Sequence, residues 1–203
     1  MFTAPQLTVN ALLHPIVAEA AEGRLPDWAV AGEKRTAHMS RVASLLDMWA
    51  EERGLDDGAR TTWRALGYLH DALRDEAPEI LRERVSPAER LLPGPLLHGP
   101  AAAEQLRIDG VEDGELLTAV AWHTLGDPRF AAMGRALYAA DFLEPGRSYL
   151  PEWREEQRAR MPHDLDTVTR EVARARIRRG LERDGRIHPR TIDFWNGLVG
   201  DAL

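Results

Sequence analysis

Along most of this chain apolar residues recur at helical spacing, and no stretch alternates apolar and polar residues as a half-buried strand would. Between Glu33 and Arg53, Val42, Leu45, Leu46 and Trp49 follow the i, i+3, i+4, i+7 rule, and Gly54 supplies a stop. A second helix is expected from Asp57 to Leu73. Pro78, Pro87, Pro93, Pro95 and Pro100 then exclude one long helix. Helical runs follow over Ala101 to Leu106, over Asp113 to Thr124, and from Phe130 through Leu137 and Tyr138. Leu165, Val168, Val172 and Ala175 stripe a long helix, and a last one runs from Pro189 to Val199, packing through Ile192, Trp195 and Leu198. The spacing predicts an all-α bundle. Leu7, Val9, Leu12, Leu13, Ile16 and Val17 suit a helix started or interrupted near Pro15, so residues 1–32 read as an N-terminal helical extension packing on a domain of residues 33–203.

The 203 residues are enough to bury one sizeable core. A net charge of −7 argues against a general nucleic-acid binder, which needs a basic surface, but does not exclude a small anionic ligand held by a local field. No apolar run suits a membrane span and no signal-peptide pattern opens the chain, so a cytoplasmic protein is expected. There is no cysteine, which excludes disulfides and thiolate metal sites; a metal here must use His, Asp or Glu.

Those residues fall in a pattern. His70 and Asp71 stand side by side after Trp63, Leu66, Tyr68 and Leu69. On a helix, neighbours point about 100° apart, so the pair meets at one point only around something compact, such as a metal ion. His38 lies four residues before Val42, and His123 three after Val120, both on apolar faces. His98 sits at a helix start, and Asp141 follows Leu137 and Tyr138 by one turn. Each alone has an ordinary explanation; six such residues on core-facing sides need compensation, which one or two divalent ions provide together. By contrast, the run Arg174, Arg176, Arg178, Arg179 reads as a solvated helix face, and His14, His163 and His188 as structural or exposed.

The order His…His-Asp…Asp resembles the HD-domain metal-dependent phosphohydrolases. The strings Tyr68-Leu69-His70-Asp71, Leu97-His98-Gly99-Pro100, Trp122-His123-Thr124-Leu125-Gly126, Asp141-Phe142-Leu143-Glu144-Pro145-Gly146-Arg147 and Ile187-His188-Pro189-Arg190 are similar more narrowly to the YqeK-type HD-domain proteins, which are symmetrical bis(5′-nucleosyl)-tetraphosphatases. Arg74 stands where that family usually has lysine, and Leu125 where it has a second threonine.

The resemblance implies an HD-domain helical bundle with a metal site between helices. His38, His70, Asp71 and Asp141 would bind iron or a similar ion such as manganese or cobalt. His98 and His123 would face the phosphates, protonate a leaving oxygen, or complete a second metal site around Asp71. The catalytic candidates are Asp71, His98 and His123. Arg35, Arg74 and Arg147 are candidates for gripping phosphates, because guanidinium forks match phosphate oxygens, and the Thr124 hydroxyl for one further bond. The substrate implied is diadenosine tetraphosphate or another dinucleoside polyphosphate, split into two nucleoside diphosphates. Another HD nucleotide phosphohydrolase, or a non-catalytic nucleotide sensor, fits the same residues, and a homodimer stays open.

Overall fold

The computed structural model describes residues 13–200. Ten α-helices make up the described chain: α1 (Pro15–Ala21), α2 (Glu33–Glu52), α3 (Asp57–Leu69), α4 (Pro78–Glu83), α5 (His98–Ile108), α6 (Gly114–Trp122), α7 (Ala132–Leu143), α8 (Pro151–Arg160), α9 (Leu165–Leu181) and α10 (Pro189–Val199). Two short 3₁₀ turns, Glu89–Leu91 and Gly94–Leu96, occupy the proline-rich stretch, and no strand occurs among the described residues. The all-α expectation holds. Leu7, Val9 and Leu12 lie outside the described residues; α1 starts at Pro15, where the missing N–H costs nothing, and its Val17, Ala20 and Ala21 join the common core.

Helix ends follow local chemistry. The Asp56 carboxylate caps α3 by accepting from Ala59 N–H at 2.8 Å, and Asp113 caps α6 by accepting from Glu115 and Leu116 N–H, both at 3.0 Å. Gly54 closes the turn after α2 at a φ of 69°. Two expected boundaries move. The second helix stops at Leu69, not Leu73, because residues 72–75 bond sideways to the loop before α2: Val30 N–H donates to Ala72 O at 2.7 Å and Asp75 N–H to Val30 O at 3.2 Å. The last helix is buried through Phe194, which meets Tyr138 and Phe130 edge-on at 5.0 and 5.5 Å, while Ile192 is exposed. Trp195 and Leu198 are half-buried against the core.

Two helical hairpins, α2–α3 and α5–α6, pack around α7, which also meets α9. Each hairpin closes on a glycine. A Cβ on Gly67 would lie 2.3 Å from Ala43 Cα, and one on Gly99 would lie 2.6 Å from the Ala121 carbonyl oxygen. Backbone cannot give way as a flexible side chain can, so these contacts set the separation of each helix pair. Gly67→Ala is therefore expected to lower stability by about 1–3 kcal/mol, read from urea unfolding.

In the turn after α6, Asp127 is fully buried, pairs with Arg129 of the same turn at 2.8 Å, and joins that turn to α10 through Arg190. Burial favours its protonated form, but the Arg129 guanidinium and backbone N–H outweigh that and hold the carboxyl below its ordinary 3.8. A depressed carboxylate stabilises the fold above its unfolded pKa, and the contribution is lost as pH falls through the folded value. Asp127→Asn should thus destabilise by about 1–2 kcal/mol at pH 7, and urea midpoints of the two proteins should converge as pH falls below about 4.

Candidate metal centre

Five elements deliver side chains to one point: α2 brings His38, the turn after α3 brings His70 and Asp71, the start of α5 brings His98, the end of α6 brings His123, and α7 brings Asp141. His38, His70, Asp71, His98 and His123 are buried, and Asp141 is half-buried. Because α3 ends at Leu69, His70 and Asp71 sit in a turn, where they reach a common centre without the constraint of a continuing helix.

Asp71 is the hub. Its Oδ2 lies 3.7 Å from His38 Nε2 and 3.6 Å from His70 Nε2; its Oδ1 lies 3.1 Å from His98 Nε2 and 3.4 Å from His123 Nε2. One oxygen serves each pair of imidazoles. Two groups of three ligand atoms result, His38–His70–Asp71 and Asp71–His98–His123, with the atoms of each group within 4.8 Å of one another.

The outer ring nitrogens define what the inner ones present. Nδ1 of His70, His98 and His123 each faces the carbonyl oxygen three residues earlier: Gly67 at 2.9 Å, Pro95 at 3.0 Å and Val120 at 2.8 Å. A carbonyl only accepts, so Nδ1 carries the proton and a neutral ring points its Nε2 lone pair inward. His98 Nε2 and His123 Nε2 are nevertheless 3.1 Å apart, beside an Asp71 oxygen that also only accepts. Converging acceptors need a proton or a cation among them. His70 Nε2 is buried with no hydrogen-bond partner among the described residues, as a ligand atom would be, and His38 Nε2, also buried, faces the carboxylate oxygens of Asp71 and Asp141. The donor set, nitrogen and oxygen without sulfur, fits a divalent first-row ion.

His38 is held differently. Its Nδ1 lies 3.3 Å from the buried Glu144 carboxylate, an arrangement that orients a metal-binding imidazole and raises its basicity. Glu144 also accepts from Arg41 and, at 2.7 Å, from Gly146 N–H. Burial works against charge on both groups. The surrounding hydrogen bonds win, taking Glu144 down to about 2 and, through Asp141 and Glu144, His38 up to about 9. Burial dominates at His70, whose pKa falls to about 3, so that ring stays neutral and able to donate its lone pair.

The other expected residues surround this cluster. Arg35 Nη1 donates to Asp71 Oδ2 at 2.6 Å. Asp141 Oδ1 is 3.2 Å from His38 Nε2 and accepts from Arg147 Nη2 at 3.1 Å; its Oδ2 accepts from Arg176 Nη2 at 2.8 Å. Asp141 thus touches the cluster through His38 while two arginines hold it. Thr124 Oγ1 lies 3.1 Å from His123 Nε2. Arg74 lies near enough for its charge to add to the burial that lowers the His98 pKa. A cleft of about 710 Å³ opens beside His38, lined by Lys34, Arg35, Arg41, Glu144 and Arg147.

Sequence reasoning missed Glu144, Arg41 and Arg176 as parts of this site. Arg176 is the correctable miss, since it continues the stripe of Val168, Thr169, Val172 and Ala173 at helical spacing and so turns inward, not onto the solvated face. Periodicity marks nothing at Glu144, which follows a helix end, although it stands in the Glu-Pro-Gly-Arg string that carries the family resemblance. Of the remaining histidines, His14 and His188 accept backbone N–H bonds at the starts of α1 and α10, and His163 is exposed.

A family model described as HD domain matches residues 35–170, two thirds of the chain. The chain belongs to the HD domain family. The symmetrical bis(5′-nucleosyl)-tetraphosphatase of Staphylococcus aureus is 28% identical over 170 residues, covering 81% of this chain and 86% of its own. That of Halalkalibacterium halodurans is 29% identical over 128 residues, 62% of this chain and 67% of its own. Among solved structures, a protein from Clostridium acetobutylicum described as a predicted HD superfamily hydrolase involved in NAD metabolism superposes with a TM-score of 0.72 at 25% identity. The match covers 90% of this chain and 95% of that one. The HD-domain resemblance read from His38, His70, Asp71 and Asp141 therefore holds at the level of family and fold. No described helix is long and apolar enough to cross a membrane.

If the cluster holds metal, His70→Ala and Asp71→Ala should purify with less than about a tenth of the wild-type metal content by elemental analysis. Glu144→Gln, which keeps shape but removes the charge behind His38, should weaken metal affinity about 10–100-fold.

Proposed function

We propose that this HD-domain protein is a metal-dependent phosphohydrolase that splits dinucleoside polyphosphates in the middle, giving two nucleoside diphosphates from diadenosine tetraphosphate. The observation that carries this reading is the sharing of Asp71: one buried carboxylate presents an oxygen to each of two imidazole pairs, a frame suited to two adjacent cations. The names of the curated relatives from S. aureus and H. halodurans support the choice of substrate.

His38, His70 and Asp71, with Asp141 alongside, would hold the first divalent ion, of the iron, manganese or cobalt class. His98 and His123 would hold a second around the other Asp71 oxygen. When bound, such ions supply Lewis-acid charge that acidifies water and offsets the charge on phosphate. The protein's own side chains do the rest. Arg35, Arg74 and Arg147 ring the cluster and attract the polyphosphate, with Arg35 and Arg147 already oriented by Asp71 and Asp141. In a site with one ion, an extra proton held between His98 Nε2 and His123 Nε2, whose Nδ1 protons are fixed on the Pro95 and Val120 carbonyls, would pass to the departing phosphate oxygen and leave both rings neutral. The Thr124 hydroxyl beside His123 Nε2 would donate to a phosphate oxygen.

Chromatography of the products from protein loaded with iron, manganese or cobalt tests the reading. ADP alone, two per diadenosine tetraphosphate and without free phosphate, is expected. ATP with AMP would reject central cleavage, and binding without turnover would make the protein a sensor.

A further inference from the structure

Next to the His38 cleft, sharing Arg147 with it, lies a second opening of about 300 Å³. Thr124, Asp141, Phe142, Arg147, Arg154 and Arg176 line it, and Arg179 stands at its edge. Four arginines thus face one lining carboxylate, with Arg147 also pairing with Glu144 at 3.3 Å. The imbalance matters because two of them are unsatisfied. Arg154 is 1% exposed, has no carboxylate within 4 Å among the described residues, and donates from Nε only to the Tyr149 carbonyl. Its Nη1 is buried with no partner. Arg179 also lacks a carboxylate partner among the described residues and stacks over the Tyr149 ring at 4.5 Å from its centroid.

Isolated buried charge is expensive, and this one is held in place without being neutralised. The Arg154 guanidinium lies 4.1 Å from the Phe142 ring centroid, and that of Arg176 lies 4.3 Å from the Tyr138 centroid. Aromatic faces hold a guanidinium in orientation; at Arg154 this leaves Nη1 without a partner, whereas Arg176 spends both Nη atoms on protein oxygens and contributes its charge. Burial, with the repulsion of Arg147, Arg179 and Arg176, pulls the Arg154 pKa down to about 10, so the side chain remains cationic at neutral pH. An arginine whose pKa is depressed by other arginines gains from any anion that enters.

We propose that Arg154, Arg176 and Arg179, with Arg147 at the rim, form a subsite for a phosphate group of the substrate, one arm of a chain of phosphates whose scissile link lies over the metal cluster. Arg147 borders both this opening and the His38 cleft, and Asp141 and Thr124 connect the opening to His38 and His123, so a single polyphosphate can extend from one to the other. Arg176 anchors the floor by donating to the carbonyls of Thr124 (3.0 Å) and Tyr138 (3.1 Å). The subsite rests on the polyphosphate reading for the identity of its ligand; its existence is testable separately.

Inorganic tripolyphosphate is the probe, titrated calorimetrically into manganese-loaded protein. Arg179→Gln, at the half-exposed edge, should weaken binding about tenfold, as expected for loss of one charge-assisted contact. Arg154→Met, which keeps bulk over Phe142, should weaken it at least as much; if it does not fold, Arg179→Gln carries the test. Arg107→Gln removes the same charge at the far end of α5 and should bind as wild type does. Unchanged affinity in Arg179→Gln, an equal loss in Arg107→Gln, or no binding by the wild type would each overturn the proposal. Wild-type binding with the expected dependence, but with diadenosine tetraphosphate left intact, would keep the subsite and discard the substrate reading.

Discussion

A carboxylate surrounded by four imidazoles is the constraint around which the bundle closes. Asp71 is buried, and a bare carboxylate there would be driven toward protonation by desolvation. It is nevertheless held well below the ordinary carboxylate range, which requires a proton or a cation among the imidazoles that face it. Arg35 adds a hydrogen bond at 2.6 Å. Each of the four histidines at this point has its far ring nitrogen fixed by a backbone carbonyl or a carboxylate. The hub is thus organised for positive charge before any ion arrives, which is what preorganisation means for a metal site.

That organisation depends on close helix contact. His38 and His70 sit on α2 and just after α3, and His98 and His123 on α5 and just after α6. Each pair is brought together by a glycine pressed against its partner backbone, Gly67 on Ala43 and Gly99 on Ala121. A larger residue would spread a hairpin and carry a histidine away from Asp71. Outside the hub, arginines hold the carboxylates that border it: Arg41 holds Glu144, while Arg147 and Arg176 hold Asp141. The site is anionic at its centre and cationic at its margin, a graded field suited to a cation inside and a phosphate chain outside.

Much of this could be read in one dimension, and the failures are informative. His38 and His123 announced themselves by falling on apolar helical faces. Arg176 lay on such a face too, but its place in a run of arginines made it look solvated, and only α7 passing beneath α9 shows that it reaches Asp141. The early end of α3 was hidden because residues 72–75 prefer bonds to the loop at Val30, a partner some forty positions away. Phe194 displaced Ile192 as the buried residue of α10 because Gly126 leaves room for its ring; a Cβ there would stand 2.1 Å from it.

From sequence alone came the helical class, the absence of thiolate ligands, and the identity of the residues able to bind a metal, since these depend on residue type and periodicity. The tertiary structure decided how those residues are shared. Two oxygens on one Asp71 divide four histidines into two sets, Glu144 stands behind His38, and unneutralised arginines gather beyond Asp141. The reason is physical: periodicity says which way a side chain faces along its own helix, whereas distances between helices follow from packing and long-range hydrogen bonds that no local pattern encodes.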